Sequence, residues 1–205
     1  MFDSVIFDMD GVLVETEEFY FERRMKFFKE KKLLPASSKI EDYLGKTEKG
    51  IWETLVTDIS TRNLLYKEYA SYREDYPINY PDVLQQDVEA ILCRLKEKEI
   101  KLAIASSSPY IEIQRMIQSC QLENYFDLVM SGAELKESKP NPQIYLNTWQ
   151  QLATENPIAV EDSMVGIASA KAAGIYTLAL KQKFFVDQSK ADKQIFSLNE
   201  LLSFF

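Results

Sequence analysis

The 205-residue sequence predicts an α/β fold, with a parallel sheet whose chain is interrupted early by a block of helices. Three observations predict it. "SVIF" (4–7) is a short apolar run rich in β-branched and aromatic residues, which suits a strand buried on both faces. From about Glu15 to Tyr80 every segment carries a helical period, and none alternates as a strand would. From Pro81 onward, strand-like runs and amphipathic helical segments follow each other in turn. That order implies parallel strands with helices covering both faces, joined by right-handed crossovers.

Each element has its own signal. After the first strand, "ETEEFYFERRMKFFKEKKLL" spaces Phe19, Arg23, Phe27 and Phe28 at helical intervals, and Pro35 closes it. "SSKIEDYLGKTEKGIWETLVTDI" reads as two short helices broken around Gly45 and Lys46, and "STRNLLYKEYASYREDY" as a third, stopped by Pro77. "DVLQQDVEAILCRLKEKE" reads as one amphipathic helix and "IKLAIAS" as a strand. "SPYIEIQRMIQSCQL" is a helix with Pro109 placed for its first turn, and "FDLVMSG" a strand. "NPQIYLNTWQQLA" is a helix and "PIAVED" a strand. "SMVGIASAKAAG" is a helix ended by Gly174, and "IYTLAL" a strand. "FSLNELLSFF" predicts a last strand or turn running into a short helix. The expected organisation is a Rossmann-like α/β core of residues 1–14 and 81–205, with residues 15–80 inserted as a small helical cap. Phe19, Phe21, Phe27 and Phe28 are expected in the cap core, and Trp52 and Trp149 on apolar helix faces.

Composition narrows the function. The net charge is -8 and the pI near 4.8, so the surface repels nucleic acid and anionic membranes. An anionic substrate then needs local cationic groups or a bound cation. Cys93 and Cys120 lie in no metal-ligand spacing and read as buried free thiols, which fits a cytoplasmic setting. The N-terminus carries no signal-peptide pattern, and no apolar run approaches the ~20 residues of a membrane helix. No long exposed apolar stripe demands a partner chain, so a monomer or weak dimer is expected.

In an open parallel sheet, ligands bind where the strands end. Asp8 and Asp10 follow the first strand; Ser106, Ser107 and Ser108 end the second. A loop carrying Lys139 follows the third, and Glu161 and Asp162 end the fourth. These groups share one edge of the sheet. Clustered carboxylates repel unless a cation lies among them, and hard oxygen ligands suit Mg²⁺. Ser106, backbone N–H groups and the Lys139 ammonium suit a phosphoryl group. One aspartate can attack phosphorus, and the other can protonate the leaving oxygen and later deprotonate water. The blander alternatives are a solvated turn at Asp8–Asp10, helix capping by the serines and by Glu161–Asp162, and a surface lysine at 139. A calcium loop does not fit, because no further acidic ligands follow at its spacing.

The motifs resemble a known family. "FDMDGVLVET", "IASSS", "SKPNPQIY" and "VEDSMVGIASAKAAG" are similar, in this order, to the four motifs of the haloacid dehalogenase superfamily, and most similar to its β-phosphoglucomutase-like group. The resemblance implies Asp8 as nucleophile and Asp10 as general acid/base with its backbone carbonyl on the metal. It implies Ser106, with Ser107 beside it, and Lys139 as phosphate ligands, and Asp8, Asp10 and Asp162 as the Mg²⁺ site. Glu161 stands as ligand or supporting residue. Thr16, Tyr20, Gly45 and Lys46 match cap positions that help choose substrate. Glu15 stands where aspartate is usual. Tyr20 stands where β-phosphoglucomutases tend to have histidine, and the chain has no histidine at all. "GKTEKG" places Glu48 near where those mutases have arginine. The expected activity is a Mg²⁺-dependent phosphatase of small phosphorylated metabolites, sugar phosphates by class, working through an aspartyl-phosphate. The alternatives are a β-phosphoglucomutase and, from another class, a non-catalytic phospho-acceptor signalling module.

Overall fold

The structure is a computed structural model and describes residues 1–44 and 46–205. The chain divides into two compact units, Met1–Glu15 with Tyr80–Phe205, and Thr16–Asn79.

The first unit is built on six parallel strands: β1 (Ser4–Phe7), β2 (Lys101–Ser106), β3 (Leu128–Ser131), β4 (Pro157–Glu161), β5 (Tyr176–Leu180) and β6 (Lys193–Ile195). Their order across the sheet is β3-β2-β1-β4-β5-β6. The chain steps one way from β1 to β3 and the other way from β4 to β6. Right-handed crossovers therefore place the helices of the two halves on opposite faces. The reversal leaves a crevice where β1 lies between β2 and β4, the usual ligand position in such sheets. Every residue of β1 is buried, as its unbroken apolar run requires.

On one face, Ile6, Ala103, Ala105 and Ala159 pack against Ile144, Tyr145 and Leu152 of α7 (Gln143–Leu152) and Ala170 of α8 (Met164–Ala172). The strand alanines leave room for α7 to carry a whole tyrosine into this layer. Trp149 is only partly buried against the same cluster, and its Nε1 donates to the Thr154 carbonyl at 2.7 Å.

The second unit holds α1 (Glu17–Glu30), α2 (Glu48–Leu55) and α3 (Ile59–Asp75). Its core is largely aromatic: Phe27, Phe28, Tyr43, Trp52 and Tyr69 pack with Leu55 and Leu65. Phe19 and Phe21, expected in that core, are only half-buried. Thr47 and Asp58 cap α2 and α3 through side-chain oxygens, accepting from Gly50 N at 3.2 Å and Thr61 N at 2.8 Å.

Several elements depart from the sequence expectation. The single helix expected after Pro81 is split into α4 (Tyr80–Val83) and α5 (Val88–Glu97). Between them Leu84 forms an antiparallel bridge with Val14, and Asp87 takes a left-handed φ of 64°. That long-range pairing outweighs local helix propensity. Among the described residues ahead of α2, a 3₁₀ turn, Ile40–Asp42, stands in place of a second helix. The sixth strand is "KQI", upstream of "FSLNELLSFF", and the terminal helix is 3₁₀ over Leu198–Phe204. Cys93 is exposed and Cys120 half-buried; both are free thiols, but neither is buried as expected. α6 (Tyr110–Ser119) has Pro109 at its N-cap with no side-chain cap, so the serines before it are not helix caps.

Candidate active site

Asp8 stands one residue beyond β1, its N–H donating to the Val160 carbonyl of β4 at 3.0 Å. The residue is 8% exposed. Lys139 enters from the loop after β3 and is 7% exposed. Its ammonium donates to Asp8 Oδ1 at 3.0 Å, to the Ala105 carbonyl at 3.0 Å and to Glu161 Oε1 at 2.6 Å, so all three N–H bonds are used. The lysine is a buried cross-tie between the ends of β1, β2 and β4, and the surface-lysine alternative is set aside.

Glu161 is fully buried. Its Oε1 also accepts from the Tyr145 hydroxyl at 2.6 Å. Its Oε2 accepts weakly from Asp162 N at 3.3 Å and Ser163 Oγ at 3.4 Å. Room for this carboxylate comes from Gly166, where an added Cβ would lie 2.0 Å from Glu161 Oε2. A second glycine is required at position 11. Its φ is +77°, and a Cβ there would lie 2.0 Å from Asp162 Oδ2. The chain thus reverses beside Asp8 and lets the Asp162 carboxylate lie against bare backbone.

Asp8, Glu161 and Asp162 each offer an oxygen, all within 4.8 Å of one another. The Asp10 carboxylate has a different partner. It accepts from Ser108 Oγ at 2.8 Å. Ser108 is itself held on both sides: its N–H donates to Ser106 Oγ at 3.0 Å, and its carbonyl accepts from Ser131 Oγ at 2.7 Å. The two aspartates therefore occupy different environments, one beside a buried ammonium and the other on a serine bracket.

The electrostatics follow. Burial pushes the Asp8 carboxyl up from 3.8 to about 7; Lys139 opposes this, and Glu161 and Asp10 reinforce it. Burial works against the Lys139 ammonium, but Asp8 and Glu161 outweigh it and raise the lysine above its ordinary value. Tyr145 is held well above its ordinary value by burial and by the nearby Glu161 and Asp8 charges, so its phenol stays a donor. A divalent cation fits this donor set. The oxygens are hard and carboxylate-rich, and one lysine leaves the acidic cluster short of positive charge.

The other residues singled out from sequence are placed as follows. Ser106 is buried and Ser107 exposed at the end of β2. Thr16 is buried at the N-cap of α1, without a side-chain cap bond. Tyr20 is half-buried, with the Arg23 guanidinium 5.1 Å from its ring centre. Lys46 Nζ donates to Thr54 Oγ1 at 2.7 Å. Gly45 lies outside the described residues. Thr16, Tyr20 and Lys46 belong to the second unit, the remainder to the first. Glu48 carries an ion pair to Arg24 at 2.7 Å and accepts from Trp52 Nε1 at 3.0 Å.

Sequence reasoning did not single out Tyr145 as more than a helix residue, and it gave Ser108 only a capping role. Tyr145 had a faint signal, a tyrosine on the apolar stripe of a helix that begins just after Lys139.

The matching family model is the haloacid dehalogenase-like hydrolase, over residues 5–180. The chain belongs to this family. It is 32% identical over 177 residues to a phosphorylated carbohydrates phosphatase of Thermotoga maritima, covering 84% of this chain and 82% of that one. It is 26% identical over 191 residues to a β-phosphoglucomutase of Bacillus subtilis, covering 87% and 83%. The fold is shared with a haloacid dehalogenase-like hydrolase of Streptococcus pneumoniae, at a TM-score of 0.81 and 21% identity over 100% of this chain and 98% of that one. It is also shared with a β-phosphoglucomutase of Clostridium difficile, at a TM-score of 0.77 and 21% identity over 98% and 93%.

Proposed function

We propose that this hydrolase-family enzyme is a Mg²⁺-dependent phosphatase of small phosphorylated metabolites, sugar phosphates in particular, and that Asp8 is its nucleophile. The carrying observation is the asymmetry of the two aspartates: Asp8 is buried against Lys139, and Asp10 is held by Ser108. The T. maritima relative, a phosphatase of phosphorylated carbohydrates by name, supports the substrate class.

The chemistry divides between them. An Asp8 oxygen attacks phosphorus while the bond from phosphorus to the leaving oxygen breaks, giving an aspartyl-phosphate. Asp10 gives its proton to the leaving oxygen. It then takes a proton from the water that attacks the phosphoryl group, releasing inorganic phosphate and restoring Asp8. Ser108 holds the Asp10 carboxylate by one hydrogen bond and keeps it aimed. Lys139 compensates charge on the phosphoryl oxygens and on Asp8. Asp8, Asp162 and the Asp10 backbone carbonyl are the proposed Mg²⁺ ligands, with Glu161 supporting through Lys139. When bound, Mg²⁺ relieves repulsion between Asp8 and Asp162, favours the ionised nucleophile and draws charge from the phosphoryl oxygens.

The second reading is a β-phosphoglucomutase, favoured by the B. subtilis relative. A mutase must also hold the second phosphate of a bisphosphorylated sugar. In the second unit Arg24 is already paired to Glu48, and Arg23 is spread over the rings of Phe19, Tyr20 and Tyr69. This favours the phosphatase. Membership of a hydrolase family stands against the phospho-acceptor signalling module.

The test is Asp8→Asn. Its folding is expected to match the parent by circular dichroism, and its release of phosphate from sugar phosphates to fall by at least a thousandfold, on the scale of a lost covalent nucleophile. Turnover near the parent's would sink the assignment.

A further inference from the structure

We propose that the segment after β5, residues 181–188, is a positioning strap for the cation-binding half of the site, anchored by Gln188 and Gln182. The inference rests on the proposed Mg²⁺ site and concerns residues outside it.

Gln188 is a polar side chain only 8% exposed. Its Nε2 donates to the Asp162 carbonyl at 2.7 Å and to the Leu180 carbonyl at 2.8 Å. Its Oε1 accepts from Gln194 Nε2 at 2.7 Å. Both amide hydrogens and the amide oxygen are therefore used, and the orientation of the amide is set. Gln182 repeats the arrangement. Its Nε2 donates to the Gly11 carbonyl at 2.9 Å and to the same Leu180 carbonyl at 3.2 Å.

The two anchored backbones are the pair that meets at the cation site. The Asp162 carboxylate lies so close to Gly11 that a Cβ on that glycine would sit 2.0 Å from Oδ2. One segment thus grips Asp162 with one glutamine and Gly11 with the other, and both grips share the last carbonyl of β5. The distance from Asp162 to Asp8 is set by where these two backbones stand. Neither glutamine is a proposed ligand; each acts through the backbone of a residue that is a ligand or touches one. Supporting contacts of this kind typically carry 10–100-fold in metal affinity.

Two variants of the full chain test this. Gln188→Glu keeps the shape but turns both carbonyl oxygens toward a carboxylate. Gln182→Leu removes only the contacts to Gly11 and Leu180. Mg²⁺ binding is measured by titration calorimetry, and phosphate release is followed as a function of Mg²⁺. Folding is checked by thermal unfolding in EDTA. The expected result is a Mg²⁺ dissociation constant raised about 10–100-fold in Gln188→Glu and raised in Gln182→Leu, with turnover recovering at saturating Mg²⁺. Folded variants that bind Mg²⁺ as the parent does overturn the proposal, as does a loss of turnover that saturating Mg²⁺ leaves in place. If Gln188→Glu does not fold, Gln182→Leu alone decides. A parent chain that hydrolyses phosphate esters without binding Mg²⁺ would instead sink the cation reading on which the proposal rests.

Discussion

Asp8 and Lys139 are paired where little water reaches them. An ammonium and a carboxylate in such a place offset part of each other's desolvation, but the second carboxylate at Glu161 leaves the trio with net negative charge. The consequence is a pH dependence of known sign. The Asp8 carboxyl titrates near 3.8 in an unfolded chain and at about 7 in the folded, metal-free one. Between those values the native state binds more protons than the unfolded state. This group's contribution to stability is therefore complete below 3.8 and is lost as pH rises through about 7. Metal-free protein is expected to lose thermal stability over that interval, with a smaller loss in Asp8→Asn, and added Mg²⁺ is expected to stabilise more at the upper end. Differential scanning fluorimetry in EDTA and in Mg²⁺ across the pH range checks this. A parent and an Asp8→Asn curve of equal slope would contradict it.

The strands and helices of the first unit act as brackets whose ends hold charge. β1 delivers Asp8, β2 the serine bracket, and β4 runs into Glu161 and Asp162. α7 adds Tyr145 from beneath, and α8 opens with a turn thin enough for Glu161. This reverses an ordinary rule at Gly166. Within a helix, glycine to alanine normally gains about 1 kcal/mol. Here the new methyl group must displace the Glu161 carboxylate, and overpacking of that kind costs about 1–3 kcal/mol. Gly166→Ala is expected to destabilise the protein in urea unfolding by up to about 2 kcal/mol net of the helix gain, with a fall in turnover as Lys139 loses its support. A more stable and fully active variant would show that Glu161 can move freely.

At the scale of the whole molecule, the proposed substrate of this acidic protein is itself anionic. With a net charge of -8, long-range attraction would not assist such a substrate, and the proposed recognition rests on local groups, Lys139 and a bound cation. Among the described residues no helix is long and apolar enough to cross a membrane. With β-glucose 1-phosphate and a bisphosphate primer, free phosphate is expected to accumulate and no glucose 6-phosphate to form, as read by phosphorus NMR. Stoichiometric isomer without phosphate release would establish the mutase instead.

Much was legible in the sequence alone. Alternating strand and helix patterns determined the parallel sheet, because a buried strand must be apolar along its whole length. The rule that ligands gather where strands end then brought Asp8, Asp10, Ser106, Lys139, Glu161 and Asp162 to one edge. Local pattern also implied one helix after Pro81, which a bridge between Val14 and Leu84 broke in two. Only the tertiary structure decided how the charges are shared. It gave Lys139 to both Asp8 and Glu161, Asp10 to Ser108, and the backbone of Asp162 to Gln188. Those partners lie between 22 and 131 positions apart along the chain, and nothing in a local period signals them. A side chain's type is written in the sequence, whereas its partner depends on which distant backbone the fold brings within about 3 Å of it.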